Sequence, residues 1–343
     1  MLLNQDYISP AELTGYVRAA QADLDRNRFI LSQWLPRVEV DDLVYRFTRG
    51  GEGLTDAATV RAYDAESPIG SRPGVTRVTG ELPPISRKIR LGEYERLRQR
   101  RDNSAIRTAI LSDAERMARA VAARLEMFRG EALYRGSLQI SENGVIATVD
   151  FGRAAGHTVA PGVLWSTVAT ATPVADMITW RDTYIATNGE APGASITSTT
   201  VLGYLQRNAE FRQLASSVTG APAIVSVATV NQVLQAFGLP PMYIYDAQVR
   251  VNGAATRVIP ADRFIYVPAP GSPDNAASSD LGATLLGTTA ESLEPEYGLS
   301  GVEPGIVSGA YSTKDPVAVW TKAAAIGLPV LANPDLTLAA DVA

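Results

Sequence analysis

Cysteine is absent from this sequence, and histidine occurs once, at His157. The first absence excludes a disulfide framework, a thiolate metal site and a cysteine nucleophile. The second excludes any metal centre built on a pair of histidines, and no carboxylate cluster has calcium-loop spacing. Lysine is nearly missing too, confined to Lys88, Lys314 and Lys322. No window approaches the roughly eighteen consecutive apolar residues of a membrane span, so none is expected. The opening stretch, MLLNQDYISPAEL, lacks the basic and apolar regions of a secretory signal, and no such signal is expected. Positive charge is in deficit, with 31 Lys and Arg against 36 Asp and Glu and a net charge of −5. That balance argues against a protein that grips nucleic acid over a broad basic surface.

Catalytic patterns are missing as well. Gly50-Gly51-Glu52-Gly53 is followed by no Gly-Lys-Ser/Thr and is not a P-loop. No GxGxxG opens a helix after a strand, and GxSxG does not occur. Asp41 and Asp42 are adjacent on an extended run, so they point to opposite faces, which is poor geometry for acid–base work. A Ser-His-Asp system could draw on His157 only with a nucleophile motif that the chain lacks. His157, in a Gly-rich link near Arg153, reads as a surface or turn residue. The sequence therefore assigns no catalytic, cofactor-binding or metal-ligating residue, and the chain reads as a non-enzyme without cofactors.

What is present begins with a core. Of 343 residues, 46% are hydrophobic, enough for two modest domains or one with extensions. The organising stretch is residues 102–136. Ile106, Ile110, Ala114, Met117, Val121, Leu125, Phe128 and Ala132 trace one face of an α-helix. Arg107, Asp113, Glu115, Arg116, Arg119 and Arg124 lie largely off that stripe. Asp102, Asn103 or Ser104 fits the start and Gly130 or Gly136 the end. At about 1.5 Å per residue the rod spans roughly 45–50 Å, far beyond an average helix. Residues 137–151 then alternate around Asn143-Gly144, the signal of a type I′ hairpin.

Upstream, Ser9-Pro10-Ala11-Glu12 is a helix start, predicting a helix over 10–27. Phe29, Ile30, Leu31, Trp34 and Leu35 form an apolar knot closed by Pro36, and residues 38–47 read as strand. This part is either a packed unit or an arm that buries its apolar groups on a neighbour. Residues 48–80 read as loop, with seven Gly or Pro between Gly50 and Gly74. Residues 75–91 read as strands around Pro83-Pro84, so 50–91 make a long two-stranded excursion, and a ribbon of that kind needs something to lie on. Residues 93–99 are a short helical lead into the rod.

Downstream lies a mixed α/β region: helices over 173–188, 198–213 and 226–237, and strands over 194–199, 242–246, 248–251 and 256–259. Phe264–Pro268 reads as a central buried strand, followed by a loop over 269–280 and a strand over 281–288. The tail, from residue 304, reads as strands that rejoin the first body. The densest basic stretch is Arg87, Lys88, Arg90, Arg96, Arg98, Arg100 and Arg101, which fits an intersubunit or surface contact better than DNA.

This order resembles the major capsid proteins of tailed bacteriophages, in particular the lambda-type major capsid protein E family. The likeness is carried by Glu12-Leu13-Thr14-Gly15-Tyr16, Asn27-Arg28-Phe29, Trp34-Leu35-Pro36 and Gly80-Glu81-Leu82-Pro83-Pro84-Ile85-Ser86 leading to Arg90-Leu91-Gly92-Glu93. Val149-Asp150-Phe151-Gly152-Arg153, Asp315-Pro316, Gly327-Leu328-Pro329-Val330-Leu331 and Asn333-Pro334-Asp335 add to it. The resemblance implies an α+β tailed-phage capsid shell fold. Residues 1–50 become an N-terminal arm and 50–91 an extended β-loop lying on a neighbour. Residues 92–154 and 306–343 become a peripheral domain with its spine helix at 102–136, and 155–305 an inserted α/β axial domain. It further implies self-assembly into hexamers and pentamers of an icosahedral shell around double-stranded DNA, with no sequence-specific binding to that DNA and no membrane. Scaffold, decoration and portal proteins are the further implied partners, and the virion capsid, assembled in the host cytoplasm, the location. No lysine–asparagine cross-link is expected at Lys88. An encapsulin-like nanocompartment shell shares the fold and is the rival reading.

Overall fold

In the computed structural model, residues 7–49, 76–98, 103–142, 144–216, 220–299, 304–315 and 317–343 are described. Ser9 caps the first helix, α1 (Pro10–Asn27), its hydroxyl accepting from the Glu12 amide at 3.2 Å with Pro10 in the first turn. A 3₁₀ turn over Ile30–Gln33 follows, then β1 (Arg37–Val40). Leu13, Val17, Leu31, Trp34 and Leu35 are fully buried inside the subunit's own core. Within residues 1–50, read as either a packed unit or an arm, α1 lies against the long helix of the same subunit, and Thr14 Oγ1 donates to the Ser308 carbonyl at 3.0 Å. β2 (Val44–Arg49) and β3 (Thr76–Glu81) form an antiparallel ribbon from Val44↔Glu81 to Arg49↔Thr76. The rest of the excursion, residues 50–75, lies outside the described residues.

β4 (Pro84–Leu91) leads through α2 (Glu93–Arg98) to α3 (Asn103–Arg135), the long helix. Its 33 residues span about 50 Å. All eight stripe residues, Ile106 to Ala132, are buried. Burial of the larger ones contributes about 1.5–3 kcal/mol each. The helix runs through Gly130 and ends at Gly136, whose φ of +70° supplies the left-handed terminus. β5 (Ser137–Glu142) and β6 (Val145–Asp150) form the expected hairpin.

The next region contains β7 (Thr158–Val159), α4 (Pro173–Asn188) and β8 (Ala194–Thr197). One helix was expected over 198–213, but there are two, α5 (Thr199–Arg207) and α6 (Ala209–Leu214). The break is chemical: the Asn208 side chain accepts from the Glu210 and Phe211 amides and starts a new helix. α7 (Val227–Ala236), β9 (Met242–Ile244), β10 (Gln248–Val251), β11 (Ala254–Arg257) and β12 (Arg263–Val267) follow. Asn252 and Gly253, both at positive φ, make the β10–β11 turn. Then come β13 (Gly282–Gly287), α8 (Ala290–Leu293), β14 (Val307–Lys314), β15 (Val317–Leu331) and β16 (Leu338–Asp341).

Two five-stranded sheets result. The first is built on β15, 15 residues long. β14 pairs along its first half and β13 along its second, β4 pairs over Val319–Ile326, and β1 adds in parallel to β13. The second runs β7-β16-β12-β8-β9, with β12 at its buried centre. Chain and sheet boundaries differ from expectation in three places. β4, placed in the excursion, is a strand of the first sheet. β13, placed in the inserted region, also belongs to the first sheet. β16, placed with the tail, crosses to the second sheet beside β12. The reason is that β15 is long enough to seat β4, β13 and β14, whereas local sequence shows only that each is a strand.

Candidate functional site: the spine junction and the exposed flanks

The spine helix carries two charges in its buried stripe. Glu126 and Arg129 are one turn apart and both 0% exposed. Arg129 donates from Nη1 to Asp25 Oδ1 at 2.9 Å and to Glu126 Oε2 at 3.1 Å, and from Nε to Thr284 Oγ1 at 2.9 Å. Glu126 also accepts from the Leu31 amide at 3.1 Å and from the Tyr245 hydroxyl at 2.5 Å. Arg37 lies 3.3 Å from the other oxygen of Asp25 and 3.1 Å from Asp274. Two carboxylates, Asp25 and Glu126, thus face two guanidiniums, Arg129 and Arg37. These contacts join α1, the 3₁₀ turn, the spine, β13 and the loop after β9. Burial pushes the Glu126 carboxyl up, and the Arg129 charge together with hydrogen bonds from Tyr245, the Leu31 amide and Arg129 itself opposes it. Burial and the adjacent Glu126 push the Tyr245 hydroxyl up, so it remains a donor.

A second junction closes the spine's C-terminus. Arg153 donates to the Leu133 and Tyr134 carbonyls at 2.8 and 3.0 Å. These are among the last carbonyls of the helix, which lack intrahelical partners, and a cation there also opposes the helix dipole. Burial lowers the Arg153 guanidinium to about 10, against the pull of Asp335. Asp335 itself accepts from the Ala154 amide at 2.7 Å. His157, expected at the surface or in a turn, ends a 3₁₀ turn over Ala155–His157 and is buried: one ring nitrogen meets the Thr337 carbonyl at 3.0 Å and the other Thr187 Oγ1 at 2.9 Å. It ties the link to α4 and the tail, and no nucleophile–carboxylate pair flanks it among the contacts of its two ring nitrogens. Asp42 turns back to accept from the Val44 amide at 3.1 Å. Among the described residues, no group of three His, Asp or Glu side chains is placed to hold a metal.

The basic stretch divides. Lys88 and Arg90 project from β4 over the Trp320 ring, at 4.7 and 6.0 Å from its centroid. Arg87 projects to the opposite face of the sheet, toward the spine. Arg100 and Arg101 lie outside the described residues. Apolar groups also stand exposed: Tyr94 and Leu97 on α2, Ile146 on the hairpin and Leu293 on α8.

A 33-residue helix braced to two sheets through its own buried polar contacts is a structural device, and its fold is that of a tailed-phage capsid shell subunit. The putative capsid protein of a prophage of E. coli CFT073 is similar, with a TM-score of 0.60 at 14% identity, covering 95% of this chain and 99% of that one. A phage-related protein from Bordetella bronchiseptica RB50 gives a TM-score of 0.59 at 12% identity, covering 96% and 95%. No curated protein matches the sequence. Residues 9–342 match the family described as phage major capsid protein E, and the chain belongs to that family. It is a structural subunit of a phage capsid.

The expected spine, hairpin and central strand occupy their expected places. Sequence reasoning missed the buried Asp25–Arg129–Glu126 contacts. The available signal was Glu126 and Arg129 at i, i+3 beside Leu125 and Phe128, on the apolar face.

Proposed function

We propose that copies of this chain form hexamers and pentamers that close into an icosahedral shell around double-stranded DNA. Assembly takes place in the host cytoplasm, with scaffold, decoration and portal proteins as partners, and the chain's work is assembly rather than catalysis. The excursion between β2 and β3 reaches a neighbouring copy. The region built on the second sheet sits at capsomer centres, and the first sheet with its spine forms the periphery. The observation that carries the reading is the family match over 9–342. The β2–β3 ribbon supports it, since it pairs with no further strand among the described residues, and two strands alone are marginal in water.

Electron microscopy and light scattering on the expressed chain test it, with and without added scaffold protein. Closed shells of megadalton mass are expected, and shells recovered from infected cells contain DNA. A 36.5 kDa monomer that no scaffold brings together overturns the reading. Shells holding a protein cargo and no nucleic acid make it a nanocompartment instead. Deleting residues 50–75 is expected to leave a folded monomer that no longer closes shells.

A further inference from the structure

Along the exposed side of the spine runs a groove of ≈ 410 Å³, between the end of α1, the start of β4 and β10. Its floor is apolar, with Phe29, Val121 and Met127, and its rim carries Arg28, Arg87 and Arg250. Those three arginines are exposed and make no ion pair among the described residues. Arg116, Arg119 and Arg124 stand on the same wall, each already beside a carboxylate: Asp113, Glu115 and Glu142 respectively. A surplus of guanidinium over an apolar floor is unusual for a chain of net charge −5.

The complementary surface lies elsewhere on the same chain. After β13, the segment Leu293-Glu294-Pro295-Glu296 is exposed throughout, Leu293 to 61%. Glu294 and Glu296 make no ion pair among the described residues. The segment is held in place from behind: Tyr297 is buried, Ser292 Oγ donates to the Thr289 carbonyl at 2.7 Å, and Glu291 pairs with Lys322. An apolar knob flanked by two carboxylates is what a groove with an apolar floor and an arginine rim accepts. Arginine forks match carboxylates bidentately, and desolvated arginine is enriched at interface centres.

We infer that the groove along the spine is a contact between copies, and that its occupant is the Leu293–Glu296 knob of a neighbouring copy. The inference rests on the self-assembly reading above. Knob and groove are different surfaces, so the contact is head-to-tail, the class that closes rings when its rotation is right. A nucleic-acid backbone has no use for the apolar floor, and a free acidic peptide would leave the knob without a purpose.

The chain's lack of cysteine makes the test clean. Leu293→Cys copies are mixed with Ala123→Cys copies, Ala123 lying on the groove wall, under assembly conditions with copper–phenanthroline as oxidant. A disulfide between the two kinds of copy is expected, with none when Ile146→Cys, on the exposed hairpin, replaces Leu293→Cys. Separately, Arg87→Glu is expected to weaken association about tenfold by setting like charges together, and Glu294→Lys in the same chain to restore most of it. Shells that assemble with no mixed disulfide, with an equal disulfide from Ile146→Cys, or with Arg87→Glu without effect overturn this inference alone. A chain that neither assembles nor cross-links overturns the assembly reading with it. Loss of duplex DNA binding in Arg87→Glu, with assembly unchanged, reassigns the groove to nucleic acid and overturns the inference.

Discussion

Replacing Arg129 by Met tests the spine junction directly. The side chain is 0% exposed, and methionine keeps much of its apolar stem. The loss is electrostatic. Asp25 keeps Arg37 at 3.3 Å, but Glu126 keeps only the Leu31 amide and the Tyr245 hydroxyl, with no cation in contact. Removing one partner from a buried ion group costs about 3–5 kcal/mol, because the charge left behind stays desolvated. A melting entropy of about 2.1 cal/mol/K per residue makes each kcal/mol worth about 1.4 °C in a chain of 343 residues, so the melting temperature of the unassembled subunit falls by roughly 4–7 °C. The variant also acquires a pH signature. Burial already raises the Glu126 carboxyl, and removing Arg129 removes its main counterweight. With the folded value above the unfolded one, the folded state holds the extra proton between the two. Stability in that window therefore falls as pH rises. Relative to wild type, Arg129→Met should be least impaired near pH 5 and most impaired near pH 8. Thermal and urea unfolding of the subunit at both pH values is the assay. A loss under about 1 kcal/mol, or a deficit that grows toward acid pH, would refute the reasoning.

Gly130→Ala should destabilise although alanine favours helices by about 1 kcal/mol, because the new Cβ would lie 2.5 Å from the Val258 carbonyl oxygen; a urea midpoint above wild type refutes this. Arg153→Met should cost about 1–2 kcal/mol by leaving the Leu133 and Tyr134 carbonyls without their donor, with faster amide exchange confined to the last turn of α3 and the link after β6. Asp274 is held below the usual carboxylate range by hydrogen bonds from Arg26 and then Arg37. Its contribution is present above the unfolded value and lost as pH falls through the folded one, so the 272–278 loop should loosen only in acid. Asp274→Asn should show that loosening already at neutral pH by proteolysis, and equal cleavage of both chains at pH 7 would contradict it.

Much of this fold was legible because the elements are strongly periodic. The spine's stripe is eight residues long with no mismatch, so the face it buries is fixed before any partner is known. Ser9-Pro10 and Gly136 mark helix ends through caps that act within a few residues. What was not legible is long-range. Nothing in PISRKIRL tells an excursion strand from the edge of a sheet centred more than 200 residues later. β15 decides that, by offering its Val319–Ile326 edge. What covers the apolar groups of residues 1–50 was open for the same reason: Leu13 and Trp34 had to be buried somewhere, and only the tertiary structure shows that their cover is intrachain. Gly130 looked like a stop because glycine usually is one, whereas here it admits the Val258 carbonyl against the helix. His157 does lie in a turn, but its burial was not legible, since a Gly-rich link reads as exposed until Thr187 and Thr337 close over it.

The buried charges at the junction raise a separate question, since apolar side chains of similar size often stabilise such sites as well or better. A subunit that tiles a shell has a further requirement: its first helix, its spine and its first sheet must pack in one arrangement in every copy, because small differences accumulate around a closed surface. Apolar contacts tolerate sliding, whereas the hydrogen bonds of Arg129 to Asp25, Glu126 and Thr284 are all made in only one arrangement of α1, the spine and β13. The hypothesis that the network sets this geometry rather than the stability makes a specific prediction. In the triple variant Asp25→Leu, Glu126→Gln, Arg129→Met, no charge is left uncompensated at the centre of the site. The side-chain amide introduced at position 126 still offers its oxygen to the Leu31 amide and the Tyr245 hydroxyl, and Arg37 still meets Asp274. Stability should return to within about 1–2 kcal/mol of wild type, while shells assembled from the variant become heterogeneous in diameter by electron microscopy. Shells as uniform as those of the wild type, from a subunit of restored stability, would show that this arrangement is set by packing alone.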